Sequence, residues 1–221
     1  MIIFDNAGKA HKERNGVIRW QFRGFNAVFP DGQNLCVLAP RGQGKTTFIS
    51  IACGNDHPSE GNVIRRGRVS FPFAFRSSLT GKLTGKQNLR FLCDIYGRNF
   101  AEAYDFCAGF SEIGRYIDIP MRSYNNDIRG RFCGSLAFAL GFTHILIDDG
   151  MDSGDNKFRK KCHHYVRDNA DRLTLTIATS DPDTALRYCS AGYVLNEGRI
   201  NYYADIKDAV EAFHAVNQVF V

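Results

Sequence analysis

The chain has no C-x-x-C pair, although it carries seven cysteines, at positions 36, 53, 93, 107, 133, 162 and 189. An odd count without paired spacing argues against a disulfide framework and for buried, reduced thiols. Cys162-His163-His164 offers metal-ligand types but has no second pair at zinc spacing, so it reads as a helix surface. Long apolar runs are also missing. The longest largely apolar window, Ser135 to Ile147, is interrupted by Thr143 and His144 and is too short to cross a bilayer. Met1-Ile2-Ile3-Phe4 runs straight into Asp5 and Asn6, so no signal peptide is expected, and any membrane role is expected to come through a partner. No internal repeat or low-complexity stretch is present. The charge excess is modest, +5 over 221 residues. Arg65-Arg66-Gly67-Arg68 and Lys157 to Lys161 therefore read as solvated faces, and no nucleic-acid partner is expected.

What is present is enough apolar material for a substantial core: 44% hydrophobic and 13% aromatic residues. The length fits one large domain or a domain with an inserted subdomain. The most informative stretch is Leu35 to Cys53. Leu35-Cys36-Val37-Leu38 has the composition of a fully buried strand. Ala39-Pro40-Arg41-Gly42-Gln43-Gly44 turns, and Lys45-Thr46-Thr47-Phe48-Ile49-Ser50-Ile51 continues with helical spacing. Strand, glycine loop and helix in this order cradle phosphates, because loop N–H groups and a helix N-terminus converge on the oxygens. Lys45 is then expected at the β- and γ-phosphates and the Thr46 hydroxyl on Mg²⁺. Ala39 stands where the pattern begins with Gly. The alternative is a glycine-rich turn with a solvated lysine.

A phosphate loop needs a carboxylate at the end of a neighbouring strand to hold Mg²⁺. Phe142 to Asp149 reads as a strand ending in two, with Asp148 for the metal and Asp149 placed to polarise a water. Here too a plain turn or helix cap is the alternative. Before the loop, Ile2 to Phe4, Val17 to Phe22 and Asn26 to Phe29 read as short strands, with Lys9 to Gly16 as a polar turn. Val69 to Phe75 reads as a strand interrupted by Pro72. Thr84-Gly85-Lys86-Gln87 has capping-box spacing and opens a helix, and helical character continues from Asn99 to Phe110 and from Ser111 to Ile117. Further helices are expected over Phe158 to Asp171, Pro182 to Cys189 and Asp205 to Phe220. Leu173 to Thr179 reads as a strand, and Asn196-Glu197-Gly198 as the turn of a hairpin.

With these pieces in place the chain resembles the ATP-binding subunit of an ABC transporter, nearest the group exporting capsular polysaccharide across the bacterial inner membrane. The resemblance rests on Ser78-Leu79-Thr80-Gly81 through Phe91, Ile95-Tyr96-Gly97, Arg131 through Leu140, Gly154 through Cys162, and Tyr188-Cys189. It implies a RecA-like P-loop α/β core of ABC type with an antiparallel β subdomain and an inserted helical subdomain. The core is expected over about 1–78 and 139–221 and the insert over about 79–138. Related O-antigen exporters often carry an added sugar-binding domain after the last helix, and none is expected here. The resemblance also implies ATP and Mg²⁺ as ligands, an integral-membrane permease as partner, a peripheral place on the cytoplasmic face of the inner membrane, and a homodimer or a heterodimer with a second ATPase subunit. Two ATP molecules are sandwiched in that dimer, each between one phosphate loop and the partner's signature loop.

Carried over residue by residue, the family pattern is altered at several positions. The adenine-stacking aromatic falls near His11, and the Gln that links metal and permease falls at Arg76. The signature loop maps to Asn125, Asn126 and Asp127, with Asp127 in place of a glycine that faces the γ-phosphate. The D-loop aspartate maps to Asp155. The catalytic Glu position is Asp149, one methylene shorter, and the switch His position is Ser180. Of the nucleotide-binding positions Ala39 through Thr47 and Asp148, the groups that bind MgATP within one subunit, Lys45, Thr46 and Asp148, are kept, while those for closure and hydrolysis are changed. The expected function is an export subunit with weak or absent hydrolysis of its own. The alternative is a regulator or scaffold that reuses the fold.

Overall fold

The computed structural model describes residues 1–12, 16–72, 79–149 and 155–217. The chain forms two compact units, one of Met1–Pro72, Thr143–Asp149 and Ala170–Val221, the other of Phe73–Phe142 and Gly150–Asn169. In the first unit, β1 (Ile2–Lys12), β2 (Ile18–Phe29) and β4 (Glu60–Arg65) form an antiparallel sheet in the order β2-β1-β4. Its second sheet, of order β5-β6-β3-β7-β8, contains β3 (Leu35–Leu38), β5 (His144–Asp148), β6 (Thr174–Thr179), β7 (Ala191–Asn196) and β8 (Arg199–Tyr203). Helices α1 (Lys45–Cys53), α6 (Pro182–Tyr188) and α7 (Ile206–Asn217) complete the unit. β3 pairs in parallel with β6 and β7 and is buried along its whole length, hence its unbroken apolar run.

Five expectations change. Lys9–Lys12 belong to β1 rather than to a turn, and β2 is one strand, not two. Register shifts between Phe4, Ala7, Lys9 and Ala10 explain both: bulges break the alternation that marks a strand, so long bulged strands read as fragments. Of the strand expected over Val69 to Phe75, Val69 makes one bridge to His144, and residues 73–75 lie outside the described residues. The helix expected over Ser111 to Ile117 is a helix end followed by a 3-10 turn at Gly114–Asp118. Arg65 is not on a solvated face. Its guanidinium donates to the carbonyls of Ile51, Ala52 and Val63, serving the C-terminal end of α1, where carbonyls lack helical partners.

Phe48 fixes α1 to the antiparallel sheet. Its ring stacks on Phe4 with centroids 5.0 Å apart and meets Phe25 at 5.8 Å and Phe29 at 5.4 Å. These rings are fully buried, so the helix that follows the glycine loop is held by dense aromatic packing.

His144 is also fully buried, with Nε2 2.7 Å from the Thr176 hydroxyl and Nδ1 3.7 Å from Asp31. Burial pushes its pKa down to about 4. Between about pH 6.5 and about pH 4 the unfolded chain takes up a proton that the folded chain refuses. Stability should therefore fall as pH drops through that window, by roughly 3 kcal/mol from this group. Urea unfolding of the parent and of His144→Gln at pH 7 and pH 4.5 checks it: the variant should lose less stability on acidification.

The second unit contains α2 (Gly85–Tyr96), α3 (Phe100–Ser111), α4 (Asn126–Ala139) and α5 (Asn156–Asp168). The capping box forms as expected: the Gln87 N–H donates to Thr84 Oγ1 at 3.0 Å and the Thr84 N–H to Gln87 Oε1 at 2.9 Å. α4 and α5 approach closely at Gly134, where a Cβ would lie 2.9 Å from the Phe158 ring. Phe110 packs edge-on against Phe138, Phe158 and Tyr165. All seven cysteines are free thiols, six of them buried. Among the described residues no helix is long and apolar enough to cross a membrane.

Candidate nucleotide site

The loop Ala39–Gly44 joins β3 to α1. Its first residue is tied down by the Ala39 N–H, which donates to the Thr179 carbonyl at 3.1 Å, and its last, Gly44, has φ 98°, a left-handed conformation open to glycine. A Cβ at Gly44 would also meet Gln21 Cγ at 2.8 Å. Lys45 is buried, and its ammonium donates to the carbonyls of Ala39 at 2.9 Å and Pro40 at 3.1 Å. Burial lowers its pKa, opposed by the charges of Asp149 and Asp148. Lys45 thus spans its own loop, where a phosphate group would draw it outward.

The Thr46 hydroxyl faces Asp148, whose pKa is raised by burial, with Thr46 and Lys45 opposing and Asp149 adding to the rise. Two oxygen donors at the head of α1 suit a hard cation such as Mg²⁺. No group of three or more His, Cys, Asp or Glu side chains among the described residues can hold a metal, so further ligands would come from phosphate and water. Asp149 has φ 48°. Its backbone N–H donates to the Ala178 carbonyl at 2.9 Å, and its Oδ1 accepts from the Ser180 N–H at 3.2 Å. The two positions expected to act in hydrolysis are therefore bonded to each other. Ser180 also lines a cavity of about 410 Å³ with Pro40, Arg41, Gln43, Phe213 and Asn217. Thr47 follows on α1 and is half-buried.

A second cleft, of about 620 Å³, opens beside the loop between Gly42, Gln43 and the β2 residues Arg19, Trp20 and Gln21, and His11 lines it too. Register explains the company: Ala10 pairs with Trp20 and His11 with Arg19. Gln21 Nε2 donates to the Gly42 carbonyl at 3.3 Å, and the Glu197 N–H donates to Gln43 Oε1 at 3.1 Å, so the hairpin of β7 and β8 braces the loop. Trp20, Gln21 and Glu197 are absent from the residues expected on sequence grounds. The signal for Trp20 was a large aromatic on a strand, 37% exposed in the folded chain.

Asn125, Asn126, Asp127 and Asp155 lie in the second unit. Asn125 caps α4 by accepting from the Ile128 N–H at 2.8 Å, and Asp127 sits exposed in the first turn. Asp155 caps α5 through the Phe158 N–H at 3.0 Å and pairs with Arg131. Arg76 lies outside the described residues.

No protein-family model matches the chain. Its fold is that of an ATP-binding cassette: it superposes on the dimeric post-hydrolysis state of the cassette MJ0796 bound to ADP and Pi with TM-score 0.78 at 22% identity, over 91% of this chain and 98% of that one. A second dimeric structure of MJ0796, a bacterial ABC transporter cassette, gives TM-score 0.76 at 21% identity. Among sequences, the polysialic acid transport ATP-binding protein KpsT of Escherichia coli is 33% identical over 214 residues, 95% of this chain and 97% of KpsT. The capsule polysaccharide export ATP-binding protein CtrD of Neisseria meningitidis serogroup B is 28% identical over 98% of this chain and 100% of its own length. The chain belongs to the ABC ATP-binding proteins of capsular polysaccharide export.

Proposed function

We propose that this chain is the subunit that holds MgATP for a capsular or related polysaccharide exporter, with weak hydrolysis of its own. The observation that carries the reading is the contrast within one site. Lys45, Thr46 and Asp148 lie close enough to act on one another electrostatically and suit phosphate and Mg²⁺, whereas the Asp149 carboxylate is held on the Ser180 N–H. In this reading Lys45 leaves the carbonyls of Ala39 and Pro40 for the β- and γ-phosphates, the loop N–H groups receive the phosphate oxygens, and Thr46 with Asp148 orients the metal. Bound Mg²⁺ would supply charge neutralisation at the phosphates. Asp149 is the candidate base, short of the water by about one methylene's reach, a misplacement that costs on the order of 10²-fold in rate. The subunit acts as a dimer on the cytoplasmic face of the membrane, docked to a permease. A second, intact ATPase subunit is the partner that would complete one good composite site.

Turnover of the purified protein with Mg²⁺ and ATP tests this. A rate below about one per second is expected; faster turnover overturns the weak-hydrolysis reading, and failure to bind MgATP at all overturns the holder reading.

The base is proposed to lie in the cleft against Trp20 and His11. Stacking on an aromatic is worth ~1–3 kcal/mol, so Trp20→Ala should weaken ATP binding about tenfold. The change should be equal for ADP, because both share the base. Isothermal titration of the two nucleotides makes the comparison.

A further inference from the structure

The cations that read as a solvated run on α5 are not all free in water. Lys161 donates to the Phe110 carbonyl at 2.8 Å and to the Glu112 carboxylate at 2.7 Å. Arg131, on α4, is oriented by Asp155 and by the Ser111 carbonyl at 3.2 Å, and lies 3.7 Å from Glu112. Lys157 lies 3.6 Å from the same carboxylate. These groups rim a cleft of about 250 Å³ that Lys160 helps line and to which Phe158 contributes an apolar wall. Four cations stand there against two carboxylates, Glu112 and Asp155.

Glu112 occupies a position that local structure disfavours. It is the C-cap of α3 with φ 55° and ψ 30°, a left-handed conformation that glycine normally fills. The carbonyl end of a helix also repels an anion. The surrounding cations hold it there, and Lys161 above all keeps its carboxyl below the usual carboxylate range. The cleft is thus a carboxylate site with an internal occupant. Because Arg131 and Lys161 are already fixed by backbone and carboxylate bonds, little ordering remains to be done when a ligand enters.

We propose that this cleft docks an acidic segment of a partner protein, one of whose Asp or Glu side chains replaces Glu112 among Lys157, Lys160, Lys161 and Arg131. An adjacent apolar side chain of that segment would pack toward Phe158. A peptide fits better than a bare phosphate for two reasons. The resident group is itself a carboxylate in hydrogen-bond contact, and a phosphate gains nothing from the aromatic wall. The volume suits a side chain or two, not a saccharide chain. None of Ala39 through Thr47, Asp148 and Asp149 lines it, so the proposal goes beyond the MgATP reading and does not depend on it.

The test uses the full-length protein and a fluorescein-labelled pentapeptide alternating glutamate and phenylalanine, followed by fluorescence anisotropy. Saturable binding is expected, and the glutamine counterpart of the peptide should not bind. Glu112→Gln, which removes the competing charge without changing side-chain shape, should tighten binding at least threefold. Lys157→Glu with Lys160→Glu should weaken it at least tenfold, and the single Lys157→Gln should weaken it less. MgATP titration of the same samples should be unchanged, which separates failure here from failure of the nucleotide reading. The proposal is overturned if Glu112→Gln leaves binding unchanged or weaker, or if the double charge reversal leaves it intact. It is also overturned if inorganic pyrophosphate binds the cleft and the peptide does not, which would make it a phosphate site.

Discussion

Lys45→Ala should weaken MgATP binding by about a hundredfold. A unit charge about 4 Å from a phosphate charge is worth on the order of 4 kcal/mol at an effective dielectric near 20. The whole of that is not recovered on binding, because in the free chain the ammonium already donates to Ala39 and Pro40 and feels Asp148 and Asp149. Exchanging those partners for phosphate leaves roughly 3 kcal/mol, which is the hundredfold. The same substitution leaves two loop carbonyls without their donor, so some loss of stability accompanies it, about 1 kcal/mol per bond. Titration of parent and variant, with thermal unfolding of both, separates the two effects. A folded Lys45→Ala protein that binds MgATP like the parent would remove the phosphate assignment of the loop.

The second large effect is a gain. If the family's dimer forms around Asn125-Asn126-Asp127, the Asp127 carboxylate faces a γ-phosphate, at a cost on the order of 4 kcal/mol, approaching a thousandfold. Asp127→Gly should then strengthen MgATP-dependent self-association by up to about that factor. Two opposing terms are smaller. Asp127 lies in the first turn of α4, where an anion is worth ~0.3–1 kcal/mol, and a helical glycine costs about 1 kcal/mol. Sedimentation velocity of parent and variant with ATP and Mg²⁺ reads the outcome. Equal association of both would mean that this loop does not meet a phosphate.

How much of this was readable before folding depended on whether the signal was local. The strand, glycine loop and helix of Leu35 to Cys53 were, because the three pieces are adjacent in sequence. So was the Thr84–Gln87 capping box, an interaction over three residues. The strands β1 and β2 were only half readable, since bulges at Asn6 to Lys9 erase the alternation on which a strand is recognised. Trp20 and Gln21 were missed for a different reason. Their place beside Gly42 follows from the packing of β2 against the loop, a relation that no spacing along the chain expresses.

The charged runs make the same point. Arg65 and Lys161 look alike in sequence to any surface cation, yet one serves the carbonyl end of α1 and the other anchors Glu112 in a basic cleft. The sequence alone determined the class of fold and the strand, glycine loop and helix that carry Lys45 and Thr46, because residue identity in a contiguous stretch sets them. Only the tertiary structure decided which side chains those motifs meet: Lys45 folded back on its own loop, Asp149 held by Ser180, Trp20 beside the cleft, and four cations around one strained glutamate. All but the first are contacts between segments distant in the chain, and their energies depend on burial and distance, which only packing supplies.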